Sequence, residues 1–239
     1  MDDQDSIFLS RPGAGAGRPL LGLTILAVED STYSAEALRL MCLRSGARIR
    51  RADSLKSARK HLQVYRPTVL IVDLGLPDGS GANLIEELSD SFPRIGAILG
   101  LSGDAFAEEV AIAAGADGFL PKPVTSLARF QTEVLRRLPA DLPPPTGDTM
   151  EEEIIHPDPL AYRDDMAHAA DILSESDEDR MLDYVAQFLR GVARSAEDAA
   201  LAEAADGLAR ARTLGAPLAS PTARIAGLVQ QRLREARTL

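Results

Sequence analysis

The chain has 239 residues, with 36 acidic and 26 basic side chains and a formal net charge of −10. Hydrophobic residues at 45% and charged residues at 26% are ordinary globular proportions, which excludes a wholly disordered or fibrous chain, and the length suits one large or two small domains. The single cysteine, Cys42, excludes an internal disulfide and a thiolate zinc cage, and the acidity disfavours nucleic acid, which needs a basic face.

Residues 1–20 carry Asp2, Asp3 and Asp5 where a signal peptide would be positive, then a Gly13-Ala14-Gly15-Ala16-Gly17 run that reads as a flexible tail. The apolar runs that follow are strand-length, too short to cross a membrane. A soluble protein in the reducing cytoplasm, without a membrane partner, is expected.

From Leu21 to Leu138 the chain has 14 acidic and 14 basic residues and is neutral. Leu23 to Val28 is an apolar run ending in Glu29-Asp30, with Ser31 placed to cap a helix. The pattern repeats: a weaker strand at 47–52, a helix at 54–65, and a strongly apolar strand from Thr68 to Val72 ending at Asp73. A helix at 82–91, a strand at 97–101 ending at Ser102, and a helix at 105–114 closed by Gly115 come next. The last pair is a strand at 118–120 before Pro121-Lys122-Pro123, and a helix at 125–138. Five strands alternating with five helices predict an α/β domain with a parallel sheet covered on both faces.

In such sheets ligands bind beyond the carboxyl ends of the strands, and the reactive side chains stand there. Glu29 and Asp30 follow the first strand, Asp73 the third, Ser102 the fourth and Lys122 the fifth. Three clustered carboxylates repel one another unless their pKa values rise or a cation joins them. An all-oxygen set favours Mg2+ and phosphate chemistry. Asp73 is the natural nucleophile, since a carboxylate can form an aspartyl-phosphate once metal and ammonium neutralise the incoming oxygens.

These ordered motifs resemble the receiver domain of two-component response regulators. The resemblance implies a flavodoxin-like, doubly wound five-stranded sheet; this family is a standing example of the order 2-1-3-4-5, so that order follows from the likeness alone. It implies that Asp73, in Asp73-Leu74-Gly75-Leu76-Pro77-Asp78-Gly79-Ser80-Gly81, is the phosphoacceptor, and that Mg2+ is held by Glu29, Asp30, Asp73 and the backbone carbonyl of Gly75. Ser102 falls at the switch hydroxyl position. Phe119 falls at the rotating aromatic, with simple core packing as its alternative, and Lys122-Pro123 at the lysine with its cis peptide. No required group is missing.

Residues 139–157 open with Pro139-Ala140-Asp141-Leu142-Pro143-Pro144-Pro145, a proline-rich acidic linker that marks a domain boundary. From Thr146 onward there are 18 acidic residues against 10 arginines, a net −8. Residues 158–239 read as an all-α bundle of four helices. The first spans 159–173. The second spans 177–193, with Ser174 and Ser176 before its acidic first turn and Met181, Val185, Phe188, Leu189 and Val192 at helical spacing. Ser195 is placed to cap the third, and Ser220-Pro221 to open the fourth. The segment from Ala202 to Ala216 resembles histidine phosphotransfer domains. Aligned on Gly215, it puts Ala205 where their histidine stands and Leu208-Ala209 in place of Lys-Gly, a degenerate version without the chemistry; a generic bundle is the alternative. His168 is a rival phosphoacceptor, or else an ordinary surface or core histidine.

The expected function is that of a response regulator charged on Asp73 by a histidine kinase or phosphotransfer protein, acting through protein binding by its helical domain. No enzymatic activity is expected beyond phosphoryl uptake and autodephosphorylation. The alternatives are a phosphate sink with a dimerising bundle, and a transcription regulator with an atypical helical DNA-binding domain.

Overall fold

The computed structural model describes residues 18–104, 106–138, 153–175 and 179–235. The glycine-rich run, the polyproline stretch and Ser176-Asp177-Glu178 fall outside the described residues.

The first domain follows the predicted alternation: β1 (Thr24–Val28), α1 (Thr32–Ser45), β2 (Arg48–Ala52), α2 (Leu55–Val64) and β3 (Val69–Asp73). After a tight antiparallel pair, β4 (Gly75–Leu76) and β5 (Gly79–Ser80), come α3 (Gly81–Ser89), β6 (Ala97–Ser102), α4 (Ala107–Ala113), β7 (Gly118–Pro121) and α5 (Leu127–Arg137). The five long strands are parallel in the order β2-β1-β3-β6-β7, which is the doubly wound order 2-1-3-4-5. The β4–β5 pair was not legible, because four residues of Gly, Leu and Ser carry no alternation.

The pleat explains why the central strands read as unbroken apolar runs. Ile25, Ala27, Val69 and Ile71 face one core, shared with α1 and α5, while Leu26, Val28, Leu70 and Val72 face the other, shared with α2, α3 and α4. β2 reads weakly because it is an edge strand. Arg48, Arg50 and Arg51 are exposed on it, charges that protect an edge from pairing with other chains.

Ser31 caps α1 by accepting from Ser34 N, and Gly46 closes it at φ 81°, a left-handed conformation that glycine adopts without steric cost. The segment before the helical domain also belongs to the first domain's surface. Residues 153–155, read from sequence as linker, run beside the start of α5: Leu127 N donates to Glu153 O at 3.0 Å, Ile155 N donates to Thr125 O at 2.8 Å, and the Ile155 side chain is buried in the α1–α5 core.

The second domain comprises α6 (Pro159–Glu175), α7 (Asp179–Ser195), α8 (Ala199–Thr213) and α9 (Ala219–Glu235), each packed on two others in a ring. Its core is built from Met166, Val185, Leu189, Val192, Leu201, Leu208, Ile225 and Val229. Three expectations need correction. The cap of α8 is Asp198, which accepts from Leu201 N; Ser195 ends α7 instead, because the apolar stripe runs on through Val192 and Ala193 and the chain turns only at Glu197, with φ 56°. Helix α9 begins one residue before Ser220. Ala205 and Leu208 are wholly buried in the bundle core, so the register that sets Ala205 at a phosphotransfer histidine fails, since that group must be exposed to meet its partner.

Candidate functional site

Four parallel strands end on one edge and deliver the predicted side chains together. Glu29 and Asp30 follow β1, Asp73 ends β3, and their carboxylate oxygens lie within 4.8 Å of one another. Lys122, just past β7, donates from Nζ to Asp73 Oδ2 at 2.7 Å, and the Lys122–Pro123 peptide is cis. Oε2 of Glu29 is also 2.7 Å from Nζ, so the one ammonium pairs with two buried carboxylates.

The electrostatics follow from the burial. Loss of water pushes the Glu29 carboxyl well up, and the charges of Asp73 and Asp30 add to this against the opposing Lys122. Burial and then the Asp73 charge likewise raise Asp30. Burial alone would lower Lys122, but the three carboxylates around it win and hold its ammonium above the ordinary lysine range. Three carboxylates offering hard oxygen donors within 4.8 Å of one another fit a small divalent cation such as Mg2+. Glu29, Asp30 and Asp73 would hold it, with Gly75 lining the same cleft.

The loop after Asp73 is held closely. Gly75 N donates to Asp73 Oδ1 at 3.2 Å. A Cβ on Gly81 would stand 2.0 Å from the Asp73 carbonyl oxygen, so only glycine fits where α3 begins. Asp78 reaches back to cap α2, accepting from Leu55 N at 2.8 Å and Lys56 N at 2.9 Å. Ser102 is buried at the end of β6, its Oγ accepting from Asp104 N at 3.2 Å. Phe119 is turned inward over Gly100, where an added Cβ would meet the ring at 3.1 Å, so in this structure the aromatic occupies the core position.

Residues 25–134 match the response regulator receiver domain family. They form a receiver domain. The virulence transcriptional regulatory protein PhoP of Salmonella typhimurium is 28% identical over 102 residues, 42% of this chain and 46% of that protein, and the transcriptional regulatory protein PhoP of Escherichia coli matches to the same extent. The chain thus spans about half the length of these curated relatives. Among solved structures, a putative response regulator from Chloroflexus aurantiacus is 30% identical, with a TM-score of 0.46 over 48% of this chain and 96% of its own. A response regulator from Burkholderia pseudomallei, with a phosphorylated aspartic acid, calcium ion and citrate, is 29% identical, with a TM-score of 0.42 over 50% of this chain and 68% of its own. Among the described residues no helix is long and apolar enough to cross a membrane.

The receiver's reactive edge is covered by the helical domain, which sequence reasoning missed. Asp165 on α6 is buried against the start of α1, accepting from Ser31 Oγ at 2.7 Å, Thr32 N at 2.6 Å and Tyr33 N at 3.1 Å. It is an N-terminal cap supplied by another domain. Burial raises its carboxyl, and those three hydrogen bonds oppose the rise. Tyr33 meets Tyr162 edge to face at 6.0 Å, and Arg194 Nη1 donates to the Gly103 carbonyl at 2.6 Å.

Between these anchors α7 crosses the receiver's cleft. Gln187, Phe188 and Gly191 line it with Glu29, Asp73 and Lys122, and Tyr184 Oη donates to Asp30 Oδ2 at 2.6 Å. The spacing 184, 187, 188, 191 is one helical face, distinct from the Val185-Leu189-Val192 stripe that enters the bundle. His168 is exposed on α6, with Nε2 3.4 Å from Tyr184 Oη and its ring edge-on to Phe188 at 5.4 Å. It therefore borders the interface between the domains.

Proposed function

We propose that this chain is a two-component response regulator in which Asp73 takes a phosphoryl group from a phosphohistidine on a histidine kinase or phosphotransfer protein, and in which the helical domain is the output, acting by protein binding. In the transfer, an Asp73 oxygen bonds to phosphorus as the P–N bond breaks, and the electron pair of that bond stays on the imidazole nitrogen. Lys122 already pairs with Asp73 at 2.7 Å and is placed to hold a phosphoryl oxygen. Ser102 supplies a hydroxyl on the next strand for a further phosphoryl oxygen. A bound Mg2+ would supply neutralisation of the phosphoryl oxygens.

The observation that carries this reading is the placement of α7 across the phosphoacceptor cleft, anchored by Asp165 and Tyr184. A bulky phosphohistidine partner and α7 need the same surface, so docking of the helical domain and phosphoryl uptake are coupled, and by reciprocity phosphorylation weakens docking. The added charge of roughly −1.5 to −2 beside Glu29 and Asp30 works in that direction. The acidic helical surface then becomes available to a protein. Arg232 and Arg224 on α9 are paired with Asp198 at 2.7 Å and Glu203 at 3.2 Å, which speaks against a basic recognition helix for DNA.

The test is amide hydrogen exchange at Thr32 and Tyr33, the two N–H groups that Asp165 caps, with and without beryllofluoride and Mg2+. Faster exchange on adding the mimic, absent in Asp73→Asn, is expected. Equal protection in all states overturns the coupling.

A further inference from the structure

Gln187 projects from α7 against the loop that follows Asp73. A Cβ on Gly75 would stand 2.2 Å from its Nε2, 2.5 Å from its Cδ and 3.1 Å from its Oε1, so the bare backbone at 75 is what admits the amide. Among the described residues this amide makes no hydrogen bond, and both its donor and its acceptor remain available. Gly191, one turn on, leaves open space: a Cβ there would meet nothing within 4 Å. Helix α7 thus roofs the cleft beside Asp73 without filling it, leaving a cavity of about 30 Å³, room for a water molecule or two.

We propose that α7 is a hydrolytic element, in which Gln187 orients a water molecule for attack on a phosphoryl group carried by Asp73, so that redocking of the helical domain resets the receiver within the same chain. The proposal rests on the phosphorylation of Asp73 argued above. Phosphoryl transfer asks mainly for positioning of the nucleophile, and a glutamine amide can do this by accepting from the water while donating to a phosphoryl oxygen. A neutral amide suits a cleft already lined by Glu29 and Asp30, where another carboxylate would repel the phosphoryl charge. The water oxygen bonds to phosphorus, the P–Oδ bond breaks with its electron pair returning to the Asp73 carboxylate beside Lys122, and both water protons leave on dihydrogen phosphate.

The test labels the full chain with radioactive acetyl phosphate and Mg2+, removes the donor and follows first-order loss of label from the wild type, Gln187→Ala and Gln187→Met. Both variants are expected to hold the label about tenfold longer, the scale of a lost positioning group, with protection of Thr32 and Tyr33 unchanged. Methionine keeps the length of the side chain without the amide, so a wild-type decay rate in Gln187→Met overturns the proposal, as does equal decay in all three proteins. A wild type that takes up no label removes the phosphorylation reading itself, and the hydrolytic role falls with it.

Discussion

The phenolic hydroxyl of Tyr184 donates to Asp30 at 2.6 Å, tying α7 to one of the carboxylates that would hold a metal. Burial, and then the Asp30 charge, push the Tyr184 phenol up, so it stays a neutral donor. That donor competes with a cation for an Asp30 lone pair. Tyr184→Phe keeps the ring, which lies 5.7 Å from Phe188, and removes the competition. Mg2+ affinity measured by calorimetric titration is expected to rise about tenfold, the lower end of the net worth of a hydrogen bond to a charged group. Unchanged or weaker affinity counts against competition at this oxygen.

Among the described residues Lys122 carries the only ammonium that pairs with this carboxylate cluster, and its side chain is 6% exposed. Lys122→Met leaves the buried carboxylates uncompensated, a loss of roughly 3 kcal/mol or more. Mg2+ should restore much of it by binding the folded state alone. Thermal unfolding with a chelator and with millimolar Mg2+ is expected to show a larger metal-dependent rise in Tm for the variant than for the wild type. Equal shifts would mean that Lys122 and the metal do not neutralise the same charges.

Asp198 joins three helices of the second domain, capping α8 while accepting from Arg232 at 2.7 Å and Tyr162 at 2.7 Å. Partial burial pushes its carboxyl up, but those hydrogen bonds outweigh it and hold the group at about 2 against an ordinary 3.8. Because the folded value is the lower one, this contribution is fully present above about pH 4 and is lost as pH falls through about 2. Acid unfolding followed by circular dichroism should show the helical domain weakening across that window, and Asp198→Asn should flatten the dependence. A variant as acid-sensitive as the wild type would assign the effect to other carboxylates.

The receiver was legible because its signals are local. Strand-length apolar runs end at Glu29, Asp73 and Ser102, so the residues that meet in space are flagged by where each run stops. The bundle was legible as helices but not as a partner of the receiver. Asp165 stands beside Asp164 and reads as a solvated acidic pair; nothing local says that one of the two is buried against α1. Tyr184 and Phe188 merge with the apolar stripe beside them. A helix with two buried faces shows one pattern, because the second face is defined by a domain whose position the sequence does not encode locally. Ser195 and Asp198 are both good caps three residues apart, and only the continuing apolar stripe of α7 decides between them.

The buried side chain of Ile155 lies beyond the contiguous stretch that marks the receiver, yet it completes the core between α1 and α5. The physical unit and the sequence segment therefore do not coincide. A receiver cut out at Leu138 and grafted onto another output would carry an empty socket beside Thr125 and Leu127. Modular exchange of this domain has to take residues 153–155 along with it.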